Sequence, residues 1–125
     1  MTLFQIGYIM EGEVGKELVI LHGDIRTPPL SREGRREVGF LLRMLQEGEV
    51  LGMPHARHMP AIGPRCLELR VNDGGRAWRL VCRVDRDAVL VADVFEKKTR
   101  TLTDRIRQAC RKRLKLYDDV AEGRI

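Results

Sequence analysis

The chain has 125 residues and a formal net charge of +5, and hydrophobic residues make up 43% of it. This composition is typical of one folded domain with a modest core, and it excludes a disordered chain. No apolar run approaches the ~18 residues that cross a bilayer, and no charged leader with an apolar stretch opens the chain. We therefore expect a soluble protein of the cytoplasm that does not contact membranes.

The three cysteines, Cys66, Cys82 and Cys110, are far apart and form no C-x-x-C pair. A structural zinc site needs paired thiolates, or thiolates with close histidines, and this spacing offers neither. The cysteines are therefore predicted to be small buried residues in a reducing compartment. We expect no metal and no cofactor.

The N-terminal residues 1–16 are interrupted by glycines and weakly patterned, so they are predicted to form an extension, as an extra strand or an ordered arm. A single domain is expected over residues 17–125. The run "ELVILH" at 17–22 is rich in β-formers and predicts a strand. The prolines of "TPPLS" end it, because proline cannot donate a hydrogen bond to a strand ladder.

Ser31 is a good N-cap for the next element. An apolar stripe follows at helical spacing, which predicts a helix ending near Gly48. The stripe consists of Val38, Leu41, Leu42 and Leu45. Residues 50–64 contain three prolines and two glycines, so this stretch, with "HARHMP" inside it, is predicted to be a loop.

Three strands with turn signals at residues 72–75 and 85–87 then predict an antiparallel meander. A final helix is expected behind a Thr103 cap, because a second apolar stripe recurs there at helical spacing. That stripe consists of Ile106, Ala109, Cys110, Leu114 and Tyr117. Together these elements predict an α+β fold, with an N-terminal helix and a basic C-terminal helix packed on a small antiparallel sheet of about four strands.

The first hairpin of the meander is predicted to pair Leu69 with Trp78 and Glu68 with Arg79, which a two-residue or a four-residue loop both allow. Directly opposite residues share one side of a sheet. The core side then holds Leu67, Leu69, Trp78 and Leu80, and the other side holds Glu68, Arg70, Arg79 and Arg83. Cys66 and Cys82 are expected on opposite faces.

The third strand of the meander is apolar on both faces except for Asp93. A three-residue loop pairs Asp93 with Arg79 and keeps this charge out of the core. Leu90, Ala92 and Val94 are then expected in the core. One polar surface near residues 50–64 should be lined by Arg70, Arg79, Phe95 and Lys97. Such a surface can serve solubility alone, and this alternative stays open.

Nine basic residues and only two acidic ones lie between Glu96 and Lys115, a local net charge of +7. This basic segment directly follows the strand that holds Phe95. A charge of this kind fits nucleic acid, an anionic membrane or an acidic protein. Because the two basic features are contiguous in the chain, they favour a binding surface for a polyanion.

The stretch 18–118 resembles the toxin half of bacterial toxin–antitoxin pairs, in particular the phage-derived, HigB-like branch of the RelE/ParE superfamily. The resemblance lies in "LHGDIRTPPLSREGR", "FLLRMLQEGE", "MPHARHMPAIGPRCLELRV", "WRLVCRVDRDAV" and "VFEKKTRT", in this order. It implies a RelE-like fold, with a curved antiparallel sheet and helices on one side. It also implies cleavage of messenger RNA, often on the ribosome, until a cognate helix-turn-helix antitoxin covers the site.

By motif, the resemblance places the chemistry on the arginines of "ELR" and "WR" and the lysines of "FxKKT". These are Arg70, Arg79, Lys97 and Lys98. RNA supplies its own nucleophile, the 2′-hydroxyl, so the protein has to orient the phosphate, move two protons and neutralise charge. Arginine forks suit phosphate oxygens. Further RNA contacts are expected from Arg57, His58, Phe95, Arg100 and Arg105.

The proton acceptor stays open between Lys97 or Lys98, which other cations crowd, and the loop histidines His55 and His58. Relatives commonly have a histidine where this chain has Leu67 and a tyrosine where it has Cys82. An inactive toxin is therefore one alternative. Others are a binding-only inhibitor of a host protein such as DNA gyrase, and a nucleic-acid-binding module without catalysis.

Overall fold

The computed structural model describes residues 4–6, 15–21, 30–98 and 102–123. These residues form six strands and two helices. In chain order they are β1 (Phe4–Ile6), β2 (Glu17–Ile20), α1 (Arg32–Gln46), β3 (Ala56–His58), β4 (Cys66–Asp73), β5 (Arg76–Val84), β6 (Ala88–Glu96) and α2 (Asp104–Ala121). Within these ranges, neither helix has the length and apolar character that crossing a bilayer requires.

The six strands make one mixed sheet in the order β1-β2-β6-β5-β4-β3. The predicted α+β class is confirmed, but the prediction of about four strands, all antiparallel, is wrong. Strand β2 runs parallel to β6, and short strands form both edges. Edge strand β1 lies in the N-terminal extension, and β3 lies inside the stretch predicted to be a loop. Three residues are too few to show alternation, and prolines are tolerated beside an edge strand.

The two helices lie on opposite faces of the sheet, not on one side as the resemblance implied. Helix α1 packs Leu41, Leu42 and Leu45 on a cluster that includes Leu69 and Leu80. Helix α2 packs Cys110 and Leu114 on a second hydrophobic cluster. This cluster comprises Val19, Leu21, Ile62, Cys66, Val81, Ala88, Leu90, Ala92, Cys110 and Leu114. A strand that is apolar on both faces is typical of a sheet covered on both sides, and this coverage explains the apolar sequence of β6.

The turn of the first hairpin is formed by Gly74 and Gly75, which have φ values of 57° and 84°. Two successive positive φ angles define the tight hairpin turn that glycines favour. Asp73 therefore pairs with Arg76, Leu69 with Leu80 and Glu68 with Val81. The predicted register was wrong by two residues. Because side chains alternate with a period of two, this shift leaves every residue on its predicted face.

A β-bulge interrupts the pairing of β5 with β6 between Val81 and Cys82. On its two sides Val81 pairs with Asp93 and Cys82 with Val91, so Ala92 is the extra residue. Asp93 was predicted to face Arg79, but Phe95 occupies that place. Leu90 and Ala92 are buried as predicted, but in the cluster beneath α2 and not on the face of Leu69; Val94 lies on that face and is half-buried. Cys66 and Cys82 belong to different clusters, as predicted.

Both predicted N-caps are confirmed, since Ser31 accepts from the Gly34 amide and Thr103 accepts from the Ile106 amide. The cap of α1 is also tied to the β4–β5 hairpin. The Ser31 amide donates to Asp73 Oδ2 at 2.7 Å, and the Ser31 hydroxyl donates to Oδ1 of the same carboxylate. These bonds lower the pKa of Asp73. The start of α1 is thereby fixed on the hairpin.

Arg83 fastens α2 to the sheet. Its guanidinium donates to Asp85 at 2.8 and 2.9 Å and to Asp118 of α2 at 2.6 and 3.0 Å. Bidentate pairs of this kind fix orientation as well as distance. The bonds from Arg83 lower the pKa of the Asp118 carboxyl. Earlier in α2, Arg113 donates to the Ala92 carbonyl at 2.8 Å, so the helix is also anchored at the bulge.

Two glycines of α1 give a matched test of the cap. A Cβ at Gly34 would lie 2.6 Å from an oxygen of Asp73, whereas a Cβ at Gly39 would meet nothing within 4 Å. We expect Gly34→Ala to lower the free energy of unfolding, because the methyl group displaces the carboxylate that holds Ser31. We expect Gly39→Ala to raise it by about 1 kcal/mol, because alanine is the better helix former. Urea unfolding followed by circular dichroism measures both, and equal effects of the two changes would contradict this account of the cap.

Candidate nucleic-acid interface

Three charged residues meet on the sheet face that also carries α2, and we call Glu68, Arg70 and Arg79 the arginine cluster. Arg70 on β4 pairs directly with Arg79 on β5, and Arg79 pairs directly with Phe95 on β6. Glu68 lies two residues before Arg70 on the same strand and therefore on the same face. The prediction that Arg70, Arg79 and Phe95 share one face is confirmed.

The Glu68 carboxylate lies between the two guanidinium groups. Its Oε1 is 3.5 Å from Arg79 Nε and 3.9 Å from Arg70 Nη1. Like charges directly opposite each other destabilise a sheet, so a neighbouring carboxylate offsets the repulsion between the two arginines. Both distances are longer than those of a charge-assisted hydrogen bond. Glu68 therefore neutralises the arginines without forming a hydrogen bond to either.

The side chains of the two arginines differ in burial. The side chain of Arg79 is 7% exposed and that of Glu68 is 6% exposed, whereas that of Arg70 is 24% exposed. Arg79 Nη1 donates to the Trp78 carbonyl at 2.9 Å, and Arg79 Nε has no hydrogen-bond partner. Burial, and then the charge of Arg70, lower the pKa of the Arg79 guanidinium, and Glu68 opposes this effect. The expectation that Arg79 lines an open polar surface is therefore wrong.

A small cavity opens between the end of β6 and the start of α2, and we call it the Phe95 cavity. Its volume is about 150 Å³. Its lining residues are Glu68, Phe95, Glu96, Lys97, Lys98, Leu102, Thr103 and Ile106. Glu68 is its most buried side chain, while Lys98 and Thr103 are exposed at its rim. The cavity joins both predicted lysines to the carboxylate of the arginine cluster.

The other predicted RNA-binding residues are distributed around this region. Arg57 on β3 pairs with Glu68 and is exposed on the face of the arginine cluster. His58 pairs with Leu67, whose side chain belongs to the core beneath α1, so the histidine lies on the opposite face. Arg105 is exposed in the first turn of α2. Arg100 lies outside the described residues.

Two features of the site were missed in the sequence. Glu68 was predicted on the face of Arg70 and Arg79 but was given no role in the site, and its burial between the two guanidinium groups was missed. Ile106 was expected on the apolar stripe that packs on the sheet, and it also lines the Phe95 cavity, together with Leu102, for which no role was predicted. The two histidines of "HARHMP" are exposed, and the carbonyl of His55 accepts from the Arg70 amide at 2.8 Å. In the part of the chain that the structure describes, no three potential metal-ligating side chains come together.

Most of the chain matches one protein family. Residues 28–115, which are more than half of the chain, match the family described as "Phage derived protein Gp49-like (DUF891)". The chain belongs to this family. The span shared with the Gp49-like family includes α1, strands β3 to β6 and the first two thirds of α2. The arginine cluster and the Phe95 cavity both lie inside it. No curated protein and no solved structure matches the chain.

The different burial of the two arginines predicts different effects on stability. Arg79→Ala leaves the buried Glu68 without its nearest counterion, so we expect it to lower the free energy of unfolding by about 3 kcal/mol. Arg70→Ala removes a longer and more exposed contact, so we expect a loss of about 1 kcal/mol or less. Urea unfolding of the two variants gives the comparison. If both variants lose the same stability, the buried pair does not have the role described above.

Proposed function

We propose that this protein is the toxin of a bacterial toxin–antitoxin pair and that it cleaves messenger RNA. The observation that supports this proposal best is the Phe95 cavity, where Lys97 and Lys98 adjoin the carboxylate held by Arg70 and Arg79. Membership of a phage-derived family fits a toxin of this kind. The resemblance of the motifs "ELR", "WR" and "FxKKT" to the RelE/ParE superfamily supplies the reaction class.

The proposed reaction begins with the 2′-hydroxyl of the RNA strand, which attacks the adjacent phosphorus. A bond forms between the 2′ oxygen and phosphorus, and the bond from phosphorus to the 5′ oxygen of the next nucleotide breaks. The products are a 2′,3′-cyclic phosphate and a free 5′-hydroxyl. One proton leaves the 2′-hydroxyl and another reaches the departing 5′ oxygen, so the protein requires one proton acceptor and one donor.

We assign these tasks by exposure and position. Arg70 is the more exposed guanidinium of the cluster, and it binds the phosphate with its fork of donors. Lys97 and Lys98 line the cavity, where one amine accepts the 2′-hydroxyl proton and the other ammonium donates to the leaving oxygen. The buried Arg79 is a positioning residue, since it holds Glu68 and through it orients Arg70. Two exposed cations outside the cavity, Arg57 and Arg105, attract the RNA backbone.

The partner in this proposal is a small helix-turn-helix antitoxin, and the place of action is the cytoplasm, where messenger RNA and ribosomes are. The antitoxin inhibits by covering the face on which Lys97, Lys98 and Arg57 are exposed or half-buried. An acidic segment suits such a surface, because electrostatic complementarity speeds association and suppresses wrong partners. Co-expression with the product of a neighbouring gene is expected to restore growth.

The nature of the RNA ends tests the reaction most directly. After brief expression in bacteria, we expect growth arrest and new messenger RNA fragments that carry 5′-hydroxyl ends. The double variant Lys97→Ala/Lys98→Ala is expected to cut at least about 100-fold more slowly, because it lacks both proposed proton carriers. Ligation-based sequencing that distinguishes 5′-hydroxyl from 5′-phosphate ends makes the measurement.

Lys112→Ala is the matched control, because Lys112 is an exposed lysine on α2 that does not line the cavity. It removes a positive charge from the basic segment and is expected to keep cleavage close to the wild-type rate. New ends with a 5′-phosphate would exclude attack by the 2′-hydroxyl. Growth arrest with intact RNA would instead favour a toxin that binds and inhibits a host protein.

A further inference from the structure

The Phe95 cavity has the size and walls of a site for a single flat ring. Its volume of about 150 Å³ is smaller than the roughly 300 Å³ at which sites for drug-sized ligands begin. Phe95 supplies an aromatic ring, and Leu102 and Ile106 supply apolar surface from the start of α2. Single-stranded RNA presents unstacked bases, which proteins commonly bind by stacking on aromatic side chains. A nucleobase therefore matches these walls.

The most buried side chain of the cavity carries a carboxylate with acceptor capacity that its protein contacts do not use. The Glu68 side chain is 6% exposed, and its contacts are the two arginine distances of 3.5 and 3.9 Å, both to Oε1. Among the described residues, no donor forms a hydrogen bond with this carboxylate. An ionised carboxylate offers about four lone-pair sites and can only accept. Both contacts involve Oε1 at ion-pair distance, so the carboxylate of Glu68 can accept hydrogen bonds that a ligand donates.

The donors and acceptors on the Watson–Crick edge of a base determine whether the base can bind a carboxylate. Guanine carries a ring N–H and an amino N–H side by side on its Watson–Crick edge, and two parallel donors match the two oxygens of a carboxylate. Adenine and cytosine place a ring acceptor beside their amino group, and that acceptor would face the negative charge. Uracil places its N–H between two carbonyl oxygens. Guanine is therefore the base that satisfies Glu68 without repulsion.

We infer that the Phe95 cavity is a guanine-binding pocket in which Phe95 stacks on the base and Glu68 accepts its two N–H donors. The inference deepens the proposed function and depends on it for the RNA context: Lys97 and Lys98 adjoin the cavity, so the phosphate of the bound guanosine lies within the proposed catalytic site. The pocket then sets the sequence at which the strand is cut. Glu68 acts in specificity, while the lysines act in catalysis.

Binding of mononucleotides tests this inference without any cleavage. The probes are the 3′-monophosphates of guanosine, inosine and adenosine, titrated calorimetrically into the wild-type protein. Inosine keeps the ring N–H of guanine but lacks the amino group, so its complex loses one hydrogen bond to a charged acceptor. We expect guanosine 3′-monophosphate to bind at least about tenfold more tightly than the inosine analogue, and adenosine 3′-monophosphate to bind more weakly still.

Two variants test the roles of Glu68 and Phe95 separately. Glu68→Gln is expected to abolish the preference for guanosine over adenosine, because an amide both donates and accepts. Phe95→Ala is expected to weaken binding of all three nucleotides by a similar factor of about ten, because stacking does not distinguish them. The matched control is Glu49→Gln, which makes the same charge change at an exposed position after α1 and is expected to leave binding unaltered.

Equal affinities of the wild-type protein for the three nucleotides would overturn the inference, and so would the absence of binding to any of them. The wild-type comparison of guanosine with inosine remains decisive even if Glu68→Gln does not fold. Cleavage of RNA without preference for guanosine would reject the pocket and keep the proposed function. Selective binding of guanosine 3′-monophosphate by a protein that cuts no RNA would keep the pocket and reject the proposed function.

Discussion

The turn at Gly74 and Gly75 sets the pairing on which the candidate site depends. Both residues have positive φ angles, so the hairpin closes with two residues and places Arg70 directly opposite Arg79. Two guanidinium groups in this position repel each other, and Glu68 makes the arrangement tolerable because it lies within 4 Å of both. The pairing of the two arginines on this face therefore depends on a turn that is not part of the site.

Helix α2 then divides this face into a closed and an open part. Its later turns bury Cys110 and Leu114 against the sheet, and the hydrogen bonds from Arg83 to Asp118 hold these turns in place. The first turn of α2 covers the sheet less completely and leaves the Phe95 cavity at the end of β6. The same helix that completes the second core also forms one wall of the candidate site. A change in the packing of α2 is consequently expected to alter the site as well.

Local patterns in the sequence predict much of this fold. The spacing of Leu41, Leu42 and Leu45 identifies α1, and Ser31 identifies its first turn. The shared face of the arginines is also predictable, because an error of two residues in register preserves alternation. The burial of Glu68 and Arg79 cannot be predicted from local patterns, because it depends on contacts between segments that are distant in the sequence. The apolar character of β6 on both faces is typical of a strand covered on both sides, and it does not match the one-sided arrangement that the resemblance implies.

The coupling between Glu68 and Arg79 tests the central claim most directly. A double-mutant cycle with Glu68→Gln, Arg79→Met and the combined variant, measured by urea unfolding, isolates their interaction from other effects. If the buried carboxylate and guanidinium stabilise each other as described, the coupling energy is about 1 kcal/mol or more. Single changes whose effects add to within about 0.3 kcal/mol would show that the two charges are independent, and the arginine cluster would not be a unit.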